Sequence, residues 1–271
     1  MKKCWLNNKT VIVTGASSGI GRGITVKLIK EYNCTVLGVA RSEEKMKSLV
    51  AELGEYGERL SYRLFDVSKR DNWKSYAEYL NENGIKPDIL INCAGVLPKF
   101  ASVEKTDKEV FESVLKTDFL AQVYSCKVFL PIIKSSGGAI VNVSSSSSLC
   151  PFAGIAAYSS SKAASERFTG CLAEENKDIL VSSVLPGFVK TDIMRDQVSS
   201  EKERRIISKV SADCHKTVKK ILRRVRRRKK RIIVGADAHF MNFAFKFFPS
   251  LAPRIITGVL KKTKFSLFAD I

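Results

Sequence analysis

The chain has 271 residues, 45% of them hydrophobic, with a formal net charge of +19, seven cysteines and two histidines. That length suits one well-buried domain and is short for two. Scattered, odd-numbered cysteines without a Cys-x-x-Cys pair, and histidines as far apart as His215 and His239, argue against a disulfide framework or a metal site.

The basic start Met1-Lys2-Lys3 leads into a first strand rather than a signal peptide. No apolar run reaches transmembrane length. A cytoplasmic protein is expected, with peripheral attachment to a membrane surface as the alternative.

Thr10-Val11-Ile12-Val13 is a β-branched run that ends at the turn Thr14-Gly15-Ala16-Ser17-Ser18-Gly19-Ile20-Gly21. Apolar spacing through Ile20, Ile24, Leu28 and Ile29 then predicts a helix. Cys34 to Val39 is a second strand, and Ser42 is the N-cap of the helix after it. Leu60 to Phe65 is a third strand, Ser68 to Asn83 a helix stopped by Gly84, and Asp88 to Ile91 a buried strand. Two helices follow near Asp107–Lys116 and Asp118–Ile133, then a strand over Ala139–Val143. A long helix carries Tyr158 to about Glu175. Leu180 to Leu185 is a sixth strand closed by Pro186-Gly187. Ser211 is read as the cap of a basic helix, and Arg231 to Val234 as a seventh strand.

Apolar strands alternating with helices predict an α/β fold: a Rossmann-type, doubly wound parallel sheet of about seven strands in a single domain. Its boundaries are expected at 1–236, with a substrate loop and basic helix at about 190–230 and an extension over 237–271. Ligands of such sheets bind outside the carboxyl ends of the strands, at the switch point.

The glycine turn stands between a strand and a helix, the context a dinucleotide pyrophosphate needs. Glycines permit a tight turn and close backbone approach, and the helix N-terminus favours an anion. At the end of the second strand stand Val39-Ala40-Arg41-Ser42, without a carboxylate until Glu43. An acid there would bind the ribose 2′-hydroxyl and repel a 2′-phosphate. Arg41 can instead pair with that phosphate, so NADP(H) is expected over NAD(H). Arg22 is read as adding positive field or as a surface residue only.

Tyr158 and Lys162 lie four residues apart, on one face of a helix. An unperturbed tyrosine has a pKa of about 10. A nearby lysine and an oxidised nicotinamide both favour phenolate and are expected to lower it. Ser145, thirteen residues before Tyr158, can hydrogen-bond a substrate oxygen and stabilise developing charge.

With these residues the chain resembles the short-chain dehydrogenase/reductase family from Thr10 to about Gly235. Thr14 to Gly21 corresponds to its TGxxxGxG turn, with Thr14, Gly15, Ser17, Ser18, Gly19, Ile20 and Gly21 as cofactor contacts. Asp66-Val67 corresponds to the adenine-contacting pair. Asn92-Cys93-Ala94-Gly95 corresponds to NNAG, with cysteine in place of the second asparagine; Asn92, Ala94 and Gly95 are the contacts implied. Pro186-Gly187, Val189 and Thr191 correspond to the segment that holds the nicotinamide carboxamide. The resemblance implies that Tyr158 is the acid in reduction and the base in oxidation. Lys162 would bind the nicotinamide ribose and depress the Tyr158 pKa, and Ser145 would orient the carbonyl or alcohol, with Ser144 and Ser146 pointing elsewhere. It also implies a homodimer or homotetramer. One departure stands out: Asp118 occupies the place of a catalytic Asn that supports a water relay to the lysine. A carboxylate can accept from water but cannot donate as an amide does; the alternative is that Asp118 only caps its helix.

Cys150-Pro151-Phe152-Ala153-Gly154-Ile155, Val96-Leu97-Pro98 and Phe188 form an apolar set expected at the substrate pocket, suited to steroids, bile acids or long-chain keto-lipids. The tail from Ala238 is aromatic and basic, with Phe240, Phe243, Phe247, Lys246, Arg254, Lys261, Lys262 and Lys264. It is read as packed on the core or a second subunit, or as lying on an anionic membrane. It loosely resembles the extended tails of membrane-associated steroid and lipid reductases of the same family. Lys202 to Arg231 carries about two thirds of the net charge, either as a solvated helix end or as a contact for anionic lipid or an acidic carrier. Without interleaved aromatics it is a poor nucleic-acid site. The competing functions are reduction of a 3-oxoacyl group on a carrier protein and a non-enzymatic NADP-binding sensor or scaffold.

Overall fold

The computed structural model describes residues 4–191, 200–263 and 265–271. Met1 to Lys3, Lys264 and the 192–199 part of the expected substrate loop lie outside the described residues. Seven parallel strands run through it: β1 (Thr10–Thr14), β2 (Thr35–Ala40), β3 (Leu60–Leu64), β4 (Ile89–Asn92), β5 (Ala139–Val143), β6 (Leu180–Pro186) and β7 (Arg231–Val234). Their order across the sheet is β3-β2-β1-β4-β5-β6-β7. Pairings such as Val11 opposite Val36 and Ile89 fix β1 between β2 and β4. The chain reverses its winding direction there, so the carboxyl ends of β1 and β4 diverge into a crevice.

The described helices are α1 (Gly19–Tyr32), α2 (Glu43–Leu53), α3 (Arg70–Glu82), α4 (Lys108–Leu115), α5 (Ala121–Ser135), α6 (Ala156–Glu175), α7 (Glu201–Val210), α8 (Cys214–Arg226), α9 (Ala236–Phe247) and α10 (Ala252–Lys262). Alternate residues of each strand face opposite layers. Val11 and Val13 therefore join Ile24, Leu28, Met46, Val218 and Ile221 under α1, α2 and α8. Ile12, Leu37 and Leu90 join Trp73, Phe129 and Leu172 under α3, α5 and α6. Trp73 and Phe129 are fully buried edge to face; truncating either to Ala would cost about 3–5 kcal/mol.

Local signals explain most boundaries. The Ser42 hydroxyl accepts from the Lys45 N–H and caps α2. The helices on either side of Asp118 are one continuous rod, joined by a π-turn over Lys116–Leu120. Asp118 is thus inside a helix and is not a cap. The basic helix α8 begins at Asp213, whose carboxylate accepts from the Lys216 N–H. Ser211 instead terminates α7. That is a correction to the expected cap: a carboxylate two residues nearer the helix takes the free N–H.

Candidate active site

The carboxyl ends of β1, β4, β5 and β6 open into a cleft of about 1090 Å³ measured out to its open mouth. One end of it is the glycine turn. Gly15 and Gly19 have φ of +66° and +49°, a region that L side chains rarely occupy. A methyl group at Gly21 would collide with the Gly15 carbonyl. The α1 N-terminus has no side-chain cap and no acid in its first turn, which leaves its N–H groups and positive dipole end for an anion. The Thr14 hydroxyl is engaged in the frame, accepting from the Cys93 and Ala94 N–H groups at 2.9 and 3.0 Å. This clips the ends of β1 and β4 together.

Gly15, Ser18, Gly19, Ile20, Gly21, Ala94, Gly95, Ser145, Tyr158, Lys162, Pro186, Gly187, Val189 and Thr191 all line the cleft. Thr14, Ser17, Arg41, Ser42, Asp66, Val67 and Asn92 are not part of its lining. Arg41 is exposed at the end of β2. Burial raises the Asp66 carboxyl, but the Ser68 N–H and hydroxyl, and after them the Arg41 charge, hold it below the ordinary aspartate pKa. Arg41 and Asp66 thus mark one corner beyond the glycine turn. The Val67 side chain is buried in the sheet layer. Arg22 is tied to Glu52 at 2.7 Å and to Ser48 and the Lys45 carbonyl; it joins α1 to α2 as a surface residue. Asn92 is also structural: its amide donates to Asn142 and accepts from Ser125, each at 2.9 Å. Asn142 in turn donates to Thr169, a buried polar chain that locks β4, β5, α5 and α6.

At the other end, Tyr158 and Lys162 stand one turn apart on α6, with the Lys162 Nζ 5.5 Å from the centre of the Tyr158 ring. Ser145, two residues past β5, stands close enough to the Tyr158 hydroxyl to favour its phenolate. The Ser144 hydroxyl turns away and donates to the Lys162 carbonyl. Ser146 and Ser147 also border the cleft.

Asp118 is fully buried, with Oδ1 accepting from the Val96 N–H at 2.8 Å and Oδ2 3.1 Å from the Lys162 Nζ. It therefore meets the lysine directly. Gly95 leaves the room for this pair: a Cβ there would stand 3.1 Å from Nζ and 3.4 Å from both carboxylate oxygens. Burial acts to lower the Lys162 pKa, but Asp118 and Tyr158 together outweigh it and hold the ammonium above its usual value. Burial raises the Asp118 carboxyl, against the pull of Lys162 and the Val96 N–H. An ammonium and a backbone N–H face its two oxygens and oppose that rise without cancelling it.

Tyr158 departs from expectation. Burial, the largest influence, raises its phenol; Lys162 lowers it, Asp118 raises it again, and Ser145 lowers it. The net direction is up. The lysine acts as expected, but burial, with Asp118 adding to it, outweighs its charge.

The middle of the cleft is apolar: Leu97, Phe100, Phe152, Ile155 and Phe188 line it. Val96, Pro98, Cys150, Pro151, Ala153 and Gly154 do not; Cys150 is fully buried behind Phe152. Sequence reasoning missed three contributors. Phe100 packs edge to face on Phe268, 5.1 Å between ring centres, because Ala101 bridges to Asp270 and Ser102 donates to the Asp270 carbonyl. Glu203 on α7 accepts from the Ser266 N–H and hydroxyl. Asp237, in the first turn of α9, accepts from the Phe188 N–H at 2.6 Å and packs on Gly187, where any Cβ would strike its carboxylate. An acid two residues after Gly235 was the one available sign of this clamp.

A tyrosine–lysine–serine cluster facing a glycine cradle across a parallel-sheet switch point is a layout shared with known proteins. Residues 9–202 match the family model for short chain dehydrogenase. The chain belongs to the short-chain dehydrogenase family. It is thereby an oxidoreductase. Among short-chain dehydrogenases, a 3beta-hydroxysteroid dehydrogenase of Mediterraneibacter gnavus is 32% identical over 189 residues, 69% of this chain and 68% of that protein. A 3-oxoacyl-[acyl-carrier-protein] reductase of Chlamydia muridarum is 36% identical over 196 residues, 70% of this chain and 77% of the relative. The crystal structure of a short chain dehydrogenase from Burkholderia cenocepacia in complex with NADP superposes with a TM-score of 0.77 at 24% identity, over 93% of this chain and 99% of that one. At that identity it speaks for the shared fold.

Proposed function

We propose that this short-chain dehydrogenase is an NADP(H)-dependent oxidoreductase that interconverts a ketone and a secondary alcohol on an apolar substrate, of the size of a steroid, bile acid or long-chain lipid. One observation carries the reading: Ser145, Tyr158 and Lys162 meet at an apolar cleft whose far wall is a glycine cradle. The residues fit the cofactor. Gly15, Gly19 and Gly21 let the backbone turn tightly into an uncapped helix N-terminus that would receive the pyrophosphate, and Arg41, exposed after β2, would take a 2′-phosphate. The NADP bound to the Burkholderia protein and the steroid named for the Mediterraneibacter relative support the same reading.

NADP(H), when bound, supplies or accepts the hydride. The protein moves the proton. Tyr158 donates to the carbonyl oxygen in reduction and accepts from the hydroxyl in oxidation. Ser145 orients that oxygen and stabilises charge on it. Lys162 balances charge on the Tyr158 oxygen, and Asp118 positions Lys162. A phenol held above its ordinary pKa stays protonated at neutral pH, which favours the donor role and so reduction. Leu97, Phe100, Phe152, Ile155 and Phe188 exclude water and select an apolar body. The domain ends near residue 236 in this account, with 237–271 as an extension that backs the pocket. The partners of the reading are the small substrate, further copies of the chain and an anionic membrane surface; the compartment is the cytoplasm.

A second reading is reduction of a 3-oxoacyl group carried by an acidic protein. The Chlamydia relative and the exposed cations of α8 favour it; the extension folded behind Phe152 and Phe188 weighs against it. The test is NADPH oxidation against steroid, bile-acid, long-chain keto-lipid and 3-oxoacyl-carrier substrates, with NADH as control. Turnover confined to the carrier substrate would transfer the assignment to the second reading. Equal use of NADH would remove the role given to Arg41.

A further inference from the structure

Helices α9 and α10 are apolar on two faces. Their inner face joins the core: Met241 and Ala252 are buried with Cys150, and Phe245, Ile256 and the pocket residues Phe152 and Phe188 all pack against that cluster. Their outer face has no partner among the described residues. Phe240, Phe243 and Phe247 recur at helical spacing on α9, and Leu251 at the cap of α10 is followed by Ile255 and Val259 on it, each 50% to 60% exposed. Single exposed apolar residues are ordinary. Six along two consecutive helices and the turn between them, with the Phe243 and Phe247 rings tilted together at 4.8 Å, form a patch of the kind that marks an interaction surface.

The charge around the patch selects its occupant. No Asp or Glu occurs between Asp237 and Asp270, whereas Lys246, Arg254, Lys261 and Lys262 are exposed on these same helices. A two-fold contact between copies would lay this patch on itself and bring its cations together. A heterologous contact would set it against a chain whose formal charge is +19. An apolar surface under a uniformly negative layer meets both demands, and long lysine and arginine side chains reach up to headgroups while the aromatic rings settle below them.

We propose that the outer face of α9 and α10 is a membrane-docking surface that lies in the headgroup region of an anionic bilayer. Phe152 and Phe188 line the cleft and rest on the inner face of the same helices. Docking therefore holds the pocket wall close to the lipid; that this delivers substrate rests on the apolar-ketone reading above.

The experiment is vesicle flotation of the full chain with phosphatidylcholine vesicles, with and without phosphatidylserine, read without any substrate. Wild type should bind the serine-containing vesicles on the order of tenfold or more tightly, and added salt should weaken the binding. F243E/F247E should lose it while keeping its melting curve and NADPH binding; K261E/K262E should lose most of the preference for serine lipid. Three results would overturn the proposal: no wild-type flotation with either vesicle, unchanged flotation of F243E/F247E, or a wild-type oligomer in sedimentation that this variant dissociates. Loss of flotation only when Arg226, Arg227 and Arg228 are replaced by serine would move the contact to α8 and also refute it. A protein inactive on every ketone could still float, so failure of the enzyme assignment and failure of docking are separate outcomes.

Discussion

Replacing Asp118 by asparagine removes one charge from a buried pair and leaves the shape intact. Asp118 and Lys162 approach to 3.1 Å with neither side chain more than 5% exposed. At an effective dielectric of about 20, unit charges at that separation attract by about 5 kcal/mol. The cost of breaking such a pair is about 3–5 kcal/mol. The lower figure is expected because the asparagine oxygen can still accept from the Val96 N–H. The functional effect has the opposite sign. Asp118 raises the Tyr158 pKa and Lys162 lowers it more strongly, so in D118N the lysine acts unanswered and the phenol pKa falls. Oxidation requires phenolate, present above that pKa, so the rising limb of kcat/KM for alcohol oxidation should move to lower pH. The falling limb of ketone reduction, which requires phenol, should move down with it. The assay is the pair of pH profiles beside a urea melt. Profiles that stay in place or move to higher pH would refute the reasoning, as would unchanged stability.

R41S should raise the KM for NADPH by roughly ten- to a hundred-fold with little change for NADH, from the loss of a charge-assisted hydrogen bond; initial rates with both cofactors read it. G95A presses a methyl group on Lys162 and Asp118 and should reduce kcat/KM by on the order of ten- to a hundred-fold, measured with protein whose melting curve shows it folded. D237A leaves the Phe188 N–H without its acceptor and should cost about 1.5–3 kcal/mol in a urea titration together with a raised KM for NADPH, since the freed loop carries Pro186 and Gly187.

Legibility in the sequence followed the range of the interaction. The strands were plain because buried parallel strands are continuous apolar runs, as in Thr10–Thr14 and Ala139–Val143. The glycine turn and the Tyr158–Lys162 pair were equally plain, since each is local and fixed by spacing. Ser211 and Asp213 present the same kind of signal two residues apart, and only the folded helix distinguishes them. Helix α7 has few apolar residues, with Ile206 and Ile207 among charges, and its sequence reads only as part of the substrate-loop and basic-helix region. The segment 265–271 reaches Phe100 and Asp270 reaches Ala101 across most of the chain, and pairings so distant leave no periodic trace. Asp118 was visible as a departure from a resembling pattern, but its direct contact with Lys162 follows from the π-turn and from the space at Gly95. The raised Tyr158 pKa was missed for a related reason: spacing reveals the nearby lysine, whereas burial and the buried carboxylate are properties of the assembled site.

The most direct test of the account is Tyr158→Phe, measured for NADPH binding by fluorescence and for turnover with an apolar ketone that the wild type reduces. The account predicts unchanged binding with kcat lower by on the order of a hundred- to ten-thousand-fold, because only the proton is lost. Retained turnover in the variant would contradict it, as would a wild type that binds NADPH tightly and reduces no ketone.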